Sequence, residues 1–261
     1  MNHCHISIMC NEFAFLKYKL PFLYIHFKQL IFVDYNISEK CNSNDGTIEY
    51  IENFNDIDNK ITLIKNFNPS DVTKYNGVSV VEKQKMFAVA SKYVYDNIDI
   101  VWATDLDEFF EKELINEVEN IYINDEQIAS INLPHRIFAY NQYNIFNKND
   151  FYIAPRITKH KKGFIYGHCN FQTYGKTIRY SNRYLYHFAF VGFKRCDFKF
   201  NKIYKNTSMK PWLETYLKAI SKKEKHVILY HPAISGLYTI PYNGTYPCYI
   251  DVDTMCKMLN N

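Results

Sequence analysis

The sequence predicts an α/β protein built on a single Rossmann-like, mainly parallel sheet flanked by helices. Strand and helix patterns alternate along the first 125 residues, which is the order that gives parallel strands joined by right-handed crossovers. The stretch from Ile98 to Ala103 is almost entirely apolar, as expected for a strand covered on both faces. Acidic residues follow two predicted strands directly, at the edge where open α/β sheets bind ligands.

The composition is that of a globular protein with a large core. The chain has 261 residues, of which 47% are hydrophobic and 22% charged, and its net charge is +4. The basic residues are scattered, so no nucleic-acid partner is predicted. Seven cysteines without a C-x-x-C pair favour a reducing compartment. No signal peptide or apolar run of about 18 residues is present. We therefore expect a cytoplasmic protein without an integral membrane segment.

The first elements in chain order are a strand and a helix. His5 to Met9 is rich in strand-forming residues, and Asn11 is a suitable cap for a helix whose first turn carries Glu12. Pro21 predicts a kink or break in that helix. Further signals follow in order: a strand over Leu30 to Val33, a turn at Asp45-Gly46, a helix over Ile48 to Phe54 and a strand over Ile61 to Ile64.

The next predicted helix is followed by a strand that ends in acidic residues. Ser79 and Glu82 have the spacing of a capping box, and the helix is expected to run to about Tyr95. The chain then reads I-D-I-V-W-A-T-D-L-D-E-F-F from Ile98 to Phe110.

Asp105 and Asp107 stand at the end of this strand. Two carboxylates one residue apart raise each other's pKa unless a cation lies between them. Oxygen ligands suit Mg²⁺ or Mn²⁺. The alternative is a charged turn, with Glu108 opening a helix that begins near Glu111.

Asp34 ends the preceding strand of the predicted sheet. Its carboxylate can accept hydrogen bonds from a base or a ribose, and a metal at the other strand end would neutralise a diphosphate. Together the two strand ends describe a nucleoside-diphosphate site. The alternative for Asp34 is a loop residue that caps its own turn.

Three motifs in this order resemble the successive motifs of family-2-type glycosyltransferases with the GT-A fold. They read I-S-I-M-C-N-E-F-A-F-L, L-I-F-V-D-Y-N with N-D-G-T behind it, and V-W-A-T-D-L-D-E-F-F. The resemblance is to the branch whose metal motif is Asp-x-Asp-Glu-Phe. It covers roughly residues 5 to 110 and depends on the order and spacing of the motifs.

The resemblance implies roles for individual residues. Asp34 would recognise the nucleotide base, and Asp105 and Asp107 would hold a divalent cation against the diphosphate. Glu12 and Asp105 would join Asp34 in binding the nucleotide sugar. A late histidine supplies the third protein ligand in several GT-A enzymes, and His187, in R-Y-L-Y-H-F, takes that position. A lone histidine among aromatic residues is also typical of a packed core position.

The second half is predicted to add a β-rich and helical acceptor region. Residues 1–125 would form the nucleotide-sugar half and residues 126–261 the acceptor half of one continuous domain. Ile128 to Leu133 is a predicted strand, and Phe151 to Phe188 has β-type composition. From Pro211 a helix is expected in which Trp212, Tyr216 and Ile220 share a face.

The leading functional hypothesis is a metal-dependent hexosyltransferase. It would use Mn²⁺ or Mg²⁺ and move a sugar from a nucleoside-diphosphate donor, a UDP-sugar by preference, to a hydroxyl group of a glycan. An inverting enzyme needs a carboxylate base, for which Asp150 and Asp197 are candidates by residue type alone. The alternatives are a haloacid-dehalogenase-like phosphatase or phosphotransferase, and a non-enzymatic carbohydrate-binding module.

Overall fold

The structure, a computed structural model, describes residues 1–35, 42–65, 80–148, 155–164, 166, 175–198, 210–230 and 236–260. Strands and helices alternate at first, and strands dominate the middle of the chain. In order, the elements are β1 (His3–Met9), α1 (Phe13–His26), β2 (Gln29–Asp34), α2 (Thr47–Glu52), β3 (Ile61–Ile64), α3 (Val80–Ser91), β4 (Ile100–Ala103), β5 (Glu108–Phe109), α4 (Glu113–Asn124), β6 (Ile128–Asn132), β7 (His135–Tyr140), β8 (Asn144–Phe146), β9 (Pro155–Lys159), β10 (Lys176–Arg179), β11 (Leu185–Val191), α5 (Phe193–Phe198), α6 (Lys210–Ser221), β12 (Thr239–Pro241) and α7 (Val252–Asn260).

The chain forms two compact units, each with its own sheet. The first unit comprises residues 1–106, 112–133 and 153–183, and the second comprises residues 107–111, 134–152 and 184–261. Both units therefore contain segments from before and after residue 125.

The sheet of the first unit has seven strands in the order β10-β6-β9-β4-β1-β2-β3. Strands β1 to β4 pair in parallel, whereas β9 runs antiparallel to both β4 and β6. This arrangement confirms the predicted α/β class and the mainly parallel sheet. Strands β1, β2 and β4 are buried along their whole length, because helices cover the sheet and leave the strands almost no exposed face.

Alternation along β1 gives its two sides different chemistry. Cys4, Ile6 and Ile8 pack in an apolar cluster with Met86 and Phe87 of α3. The intervening residues His3, His5 and Ser7 are polar and equally buried. Since successive strand residues point to opposite faces, the polar set lies on the side of the sheet away from α3.

The sheet of the second unit has five strands in the order β12-β8-β7-β11-β5. On one side, Trp212 and Tyr216 of α6 pack against Ile137, Ala139 and Ala189. The other side is an aromatic layer in which the rings of Phe138 and Phe188 stack at 4.6 Å between centroids.

Several elements differ from their predictions. Helix α1 continues through Pro21, because Leu20, Phe22 and Leu23 are buried around it and their packing outweighs the loss of one backbone donor. Helix α3 ends at Ser91 rather than near Tyr95, and Ser79 lies outside the described residues.

Two further predictions about helix faces and helix starts need correction. Ile220 of α6 is 39% exposed, and Ala219 is buried instead, because positions i, i+4 and i+7 from Trp212 share a helix face better than i, i+4 and i+8 do. Glu108 does not open a helix but begins the short strand β5. Among the residues described, no helix is long and apolar enough to cross a membrane.

Candidate functional site

Strand pairing in the second unit brings one acid and two histidines together. Glu108 of β5 lies directly opposite His187 of β11 in an antiparallel pair. His135 begins β7, and Ile137 of the same strand is the register partner of His187. Residues two apart on a strand share a face, so Glu108, His135 and His187 all project from one side of the sheet. We refer to these three residues as the acid-histidine cluster.

The ligand atoms of the acid-histidine cluster form a nearly equilateral triangle. Oε1 of Glu108 is 3.8 Å from Nδ1 of His135 and 3.8 Å from Nδ1 of His187, and the two Nδ1 atoms are 3.4 Å apart. The point equidistant from these three atoms lies about 2.1 Å from each, which matches the roughly 2.0 to 2.2 Å bonds that zinc forms with imidazole and carboxylate ligands. The separations of the three ligand atoms are therefore compatible with a single transition-metal ion.

The cluster lies mostly out of contact with solvent. Glu108 and His135 have no exposed side-chain surface, whereas 14% of the His187 side chain is exposed. Two imidazole nitrogens with one carboxylate oxygen suit Mn²⁺, Fe²⁺ or Zn²⁺ better than Mg²⁺, which prefers oxygen ligands.

Asp107 stands beside the cluster on the other edge of the His187 ring. Its Oδ2 is 3.5 Å from Nε2 of His187 and accepts a hydrogen bond from Nη2 of Arg195. The Arg195 guanidinium also donates to the carbonyls of Phe188 and Ala189, at 3.0 and 2.8 Å. Arg195 is thus fixed to β11, and it neutralises Asp107 there.

His187 therefore offers two metal-binding arrangements. In the first, Nδ1 would join Glu108 and His135 in holding the ion, and Nε2–H would face the Asp107 carboxylate, in the manner of a carboxylate that orients a ligating histidine. In the second, Nε2 and Asp107 would hold the ion, and Nδ1–H would face Glu108. The first arrangement uses three ligand atoms that lie 3.4 to 3.8 Å from one another, and it leaves the Asp107–Arg195 ion pair intact.

Comparisons with known proteins give little guidance. No protein-family model matches the chain, and no curated protein does. Among solved structures, the chain is similar to the crystal structure of S. aureus TarS 1-349, with 14% sequence identity and a TM-score of 0.37. The matched region covers 61% of this chain and 47% of that one, so the chain spans about half the length of the TarS structure. A similarity at this level assigns neither fold nor function.

The structure brings together two of the residues predicted to bind metal. Asp107 and His187 are 80 positions apart in the sequence and 3.5 Å apart in space. Asp105, the third member of the predicted set, belongs to the first unit, whereas Asp107 and His187 belong to the second. Sequence reasoning missed Glu108 and His135. Glu108 belongs to the quoted D-L-D-E-F motif, but nothing in the P-H-R-I-F-A-Y segment indicates which distant strand will lie beside His135.

The Asp34 carboxylate is buried and hydrogen-bonded to Ser43. The residue is buried at the end of β2, and the Ser43 backbone N–H donates to its Oδ2 at 2.8 Å, while the Ser43 hydroxyl donates to Oδ1. Burial raises the pKa of Asp34, and the two Ser43 hydrogen bonds oppose that rise. The predicted role of Asp34 in nucleoside binding stays a prediction.

Asp105 lies two residues after the end of β4, where the buried Lys19 side chain holds the main chain in place. Nζ of Lys19, from α1, donates to the Asp105 carbonyl at 2.5 Å and to Oγ1 of Thr104 at 3.0 Å. Nε2 of His5 lies 2.7 Å from the same Thr104 oxygen, and the Ser7 hydroxyl donates to the Thr104 carbonyl at 2.5 Å. Burial, with Lys19 nearby, holds the pKa of His5 well below its ordinary value, so this imidazole is neutral.

Three further residues were predicted to bind the donor or to act as the base. Glu12 is the residue before α1, and its backbone N–H donates to Oγ1 of Thr47 at 3.0 Å. Asp197 lies on α5, and Asp150 lies outside the described residues.

Tyr249 contacts the chain directly after β5, the strand that carries Glu108. The Tyr249 hydroxyl donates to the Phe110 carbonyl at 3.0 Å and lies 3.4 Å from the Phe110 nitrogen. Phe109 lies between the rings of Phe188 and Tyr249, at 5.8 and 6.2 Å between centroids. The two-residue strand β5 is therefore fixed by β11 on one side and by a residue near the end of the chain.

Proposed function

We propose that the protein is a metal-dependent glycosyltransferase of the GT-A type. It would transfer a sugar from a nucleoside-diphosphate donor, with a UDP-sugar the donor we favour, to a hydroxyl group of a glycan. The observation that carries the proposal is the geometry of the acid-histidine cluster, whose Glu108 belongs to the Asp-x-Asp-Glu-Phe motif. In that motif, Glu108 adjoins the Asp107 that the family resemblance assigns to the metal.

The residues of the chain have separate tasks in this mechanism. Glu108, His135 and His187 would hold the ion, and Asp107 with Arg195 would orient the His187 ring. The bound ion would stabilise the negative charge that develops on the departing diphosphate. Asp34, Asp105 and Glu12 keep the donor-binding roles that the motif resemblance implies. Of these, Asp34 already accepts two hydrogen bonds from Ser43, and an ionised carboxylate has acceptor sites left for a nucleoside.

A thermal-shift experiment tests the proposal. The melting temperature is measured with UDP-, GDP- and dTDP-sugars, each with and without Mn²⁺. We expect a stabilisation that requires both the correct donor and the ion, because binding to the native state alone raises the melting temperature. Stabilisation by a donor that is unaffected by metal removal would contradict the role of the ion.

Variants of the cluster make the experiment specific. His187→Ala and His135→Ala should each abolish the Mn²⁺-dependent part of the shift. His226→Ala removes an exposed histidine and should leave the shift unchanged. A purified protein that releases phosphate from p-nitrophenyl phosphate and ignores nucleotide sugars would instead support the phosphatase alternative.

A further inference from the structure

A second polar site lies on the opposite face of the second unit's sheet, centred on Arg136. Arg136 of β7 is the register partner of Tyr186 of β11. Both residues alternate with the histidines of the acid-histidine cluster along their strands, so they point to the aromatic side of the sheet. Arg136 is partly exposed there.

Tyrosines hold the Arg136 guanidinium in place. Its centre lies 4.1 Å from the centroid of the Tyr184 ring, which is a stacking distance for a cation on an aromatic face. Its Nη1 donates to the hydroxyls of Tyr186 and Tyr242, at 3.3 and 3.0 Å. The Tyr186 hydroxyl donates onward to Glu111 at 2.9 Å, and that of Tyr242 donates to the Thr245 carbonyl at 2.7 Å.

These hydrogen bonds occupy only one end of the guanidinium. An arginine has five N–H donors in a fixed planar fork, and both bonds of Arg136 come from Nη1. Within the described part of the chain, its Nε and Nη2 make no hydrogen bond, and the guanidinium forms no ion pair with a carboxylate. Burial raises the pKa of Tyr186 and of Tyr242, so both rings stay neutral and do not act as counter-ions.

Arg183 of the first unit shows how the Nε–Nη2 edge of an arginine binds a carboxylate. Its Nε and Nη2 both donate to Oε1 of Glu117, at 2.9 and 2.7 Å. The Nε–Nη2 edge is the one that meets planar oxyanions side-on, with two charge-assisted hydrogen bonds. Arg136 presents that edge already oriented, so little side-chain entropy is lost when an anion binds.

We propose that Arg136 anchors an oxyanion-binding site, in which Nε and Nη2 take a carboxylate or phosphate group of a ligand while Tyr184, Tyr186 and Tyr242 hold the guanidinium. This site is separate from the acid-histidine cluster, and it does not depend on the proposed transferase activity.

Arginine side-chain NMR tests the site in metal-free protein, where a bound ion cannot attract the anion elsewhere. The chain has five arginines, at positions 136, 156, 179, 183 and 195, so a ¹H–¹⁵N spectrum contains five Nε–Hε signals. Inorganic phosphate, glucuronate and neutral glucose are titrated separately. We expect the Arg136 signal to move saturably with one or both anions and to stay in place with glucose.

The two anions distinguish the source of the group. A response to glucuronate alone identifies a carboxylate site, and a response to phosphate alone identifies a phosphate site. A response to glucose equal to that of the anions, or equal shifts at Arg136 and the exposed Arg179, would overturn the proposal.

Variants of Arg136 complete the test. Arg136→Gln should weaken anion binding by about tenfold to a hundredfold, because a pair of charge-assisted hydrogen bonds is lost. Arg136→Lys keeps the charge but not the fork, and it provides a second variant if the glutamine variant does not fold. The lysine variant should bind more weakly than the wild type, and Arg179→Gln should bind as the wild type does. Wild-type affinity in a folded Arg136 variant would refute the site.

Discussion

Asp107 faces two cations or potential cations, Arg195 on one side and the His187 ring on the other. We predict that Asp107→Asn abolishes sugar transfer and weakens metal binding by about ten- to a hundredfold, the effect typical of losing a residue that orients a ligand. Turnover, Mn²⁺ affinity and melting temperature should be measured together. Asp58→Asn changes an exposed aspartate and serves as the control. A folded Asp107→Asn variant with wild-type turnover would remove Asp107 from the mechanism.

Asp34 gives a pH-dependent prediction. Burial raises its pKa above the ordinary value of 3.8, so the stability linked to its protonation is full below that value and is lost as the pH rises through the folded-state pKa. Asp34→Asn, which cannot ionise, should therefore become more stable relative to the wild type as the pH rises above about 4. Melting curves of both proteins across this range measure the difference. A constant difference would show that Asp34 ionises equally in both states.

The donor-binding role of Asp34 is tested separately. If its carboxylate meets the nucleoside, Asp34→Ala should weaken donor binding by about 1.5 to 3 kcal/mol, the cost of a charge-assisted hydrogen bond. Ser43→Ala removes the hydroxyl that holds Asp34 and should not weaken donor binding. Calorimetric titration of both variants decides between the two roles.

Helix α1 contributes a buried lysine to the end of β4. Lys19 has no exposed surface, and Lys19→Met leaves the Asp105 carbonyl without this donor. We expect a loss of about 1 to 3 kcal/mol of stability, the cost of an unsatisfied buried polar group. Lys17→Met changes an exposed lysine of the same helix and should stay within about 0.5 kcal/mol of the wild type. Denaturant unfolding of both variants provides the measurement, and similar losses would contradict a specific role for the buried ammonium.

The turn between β11 and α5 depends on a glycine for two reasons. Gly192 has φ +89, and a Cβ atom there would lie 2.8 Å from the Leu259 carbonyl oxygen of α7. Gly236 has φ +73 with nothing within 4 Å, so Gly236→Ala measures backbone strain alone, about 1 to 2 kcal/mol. Gly192→Ala should cost about 1 to 3 kcal/mol more, because overpacking is added. Equal unfolding midpoints for the two variants would mean that α7 moves to make room for the new Cβ atom with no loss of stability.

The elements that could be predicted are those whose signal is local. Strand β4 and its neighbour β2 are apolar runs of the right length, and β3 was predicted at its observed bounds, Ile61–Ile64. Strand β5 was not predicted, because its two residues adopt strand geometry through pairing with β11, which lies more than 70 positions away. His135 was not predicted as a site residue for the same reason, because its place beside His187 depends on which strand pairs with β7.

At the scale of the whole molecule, the candidate metal centre depends on a residue 139 positions beyond Phe110. We predict that Tyr249→Phe lowers stability by about 1 kcal/mol, the net value of a typical hydrogen bond, and also weakens Mn²⁺ binding, because β5 loses its second attachment. Tyr230→Phe alters a tyrosine that is 67% exposed and should affect neither quantity. Lower stability of Tyr249→Phe with unchanged Mn²⁺ affinity would show that β11 alone positions Glu108.

A ribosome makes Phe110 long before it makes Tyr249, and domains fold as units while the chain emerges. On the nascent chain, Glu108 precedes both histidines of its cluster, and β5 lacks its partner strand until residue 191 has been made. The contact that completes its support comes later still. If the cluster binds a metal as we propose, insertion of that metal would be a late step of biosynthesis. A chain whose translation stops before Tyr249 would carry all three proposed ligands without the contact that supports the first of them.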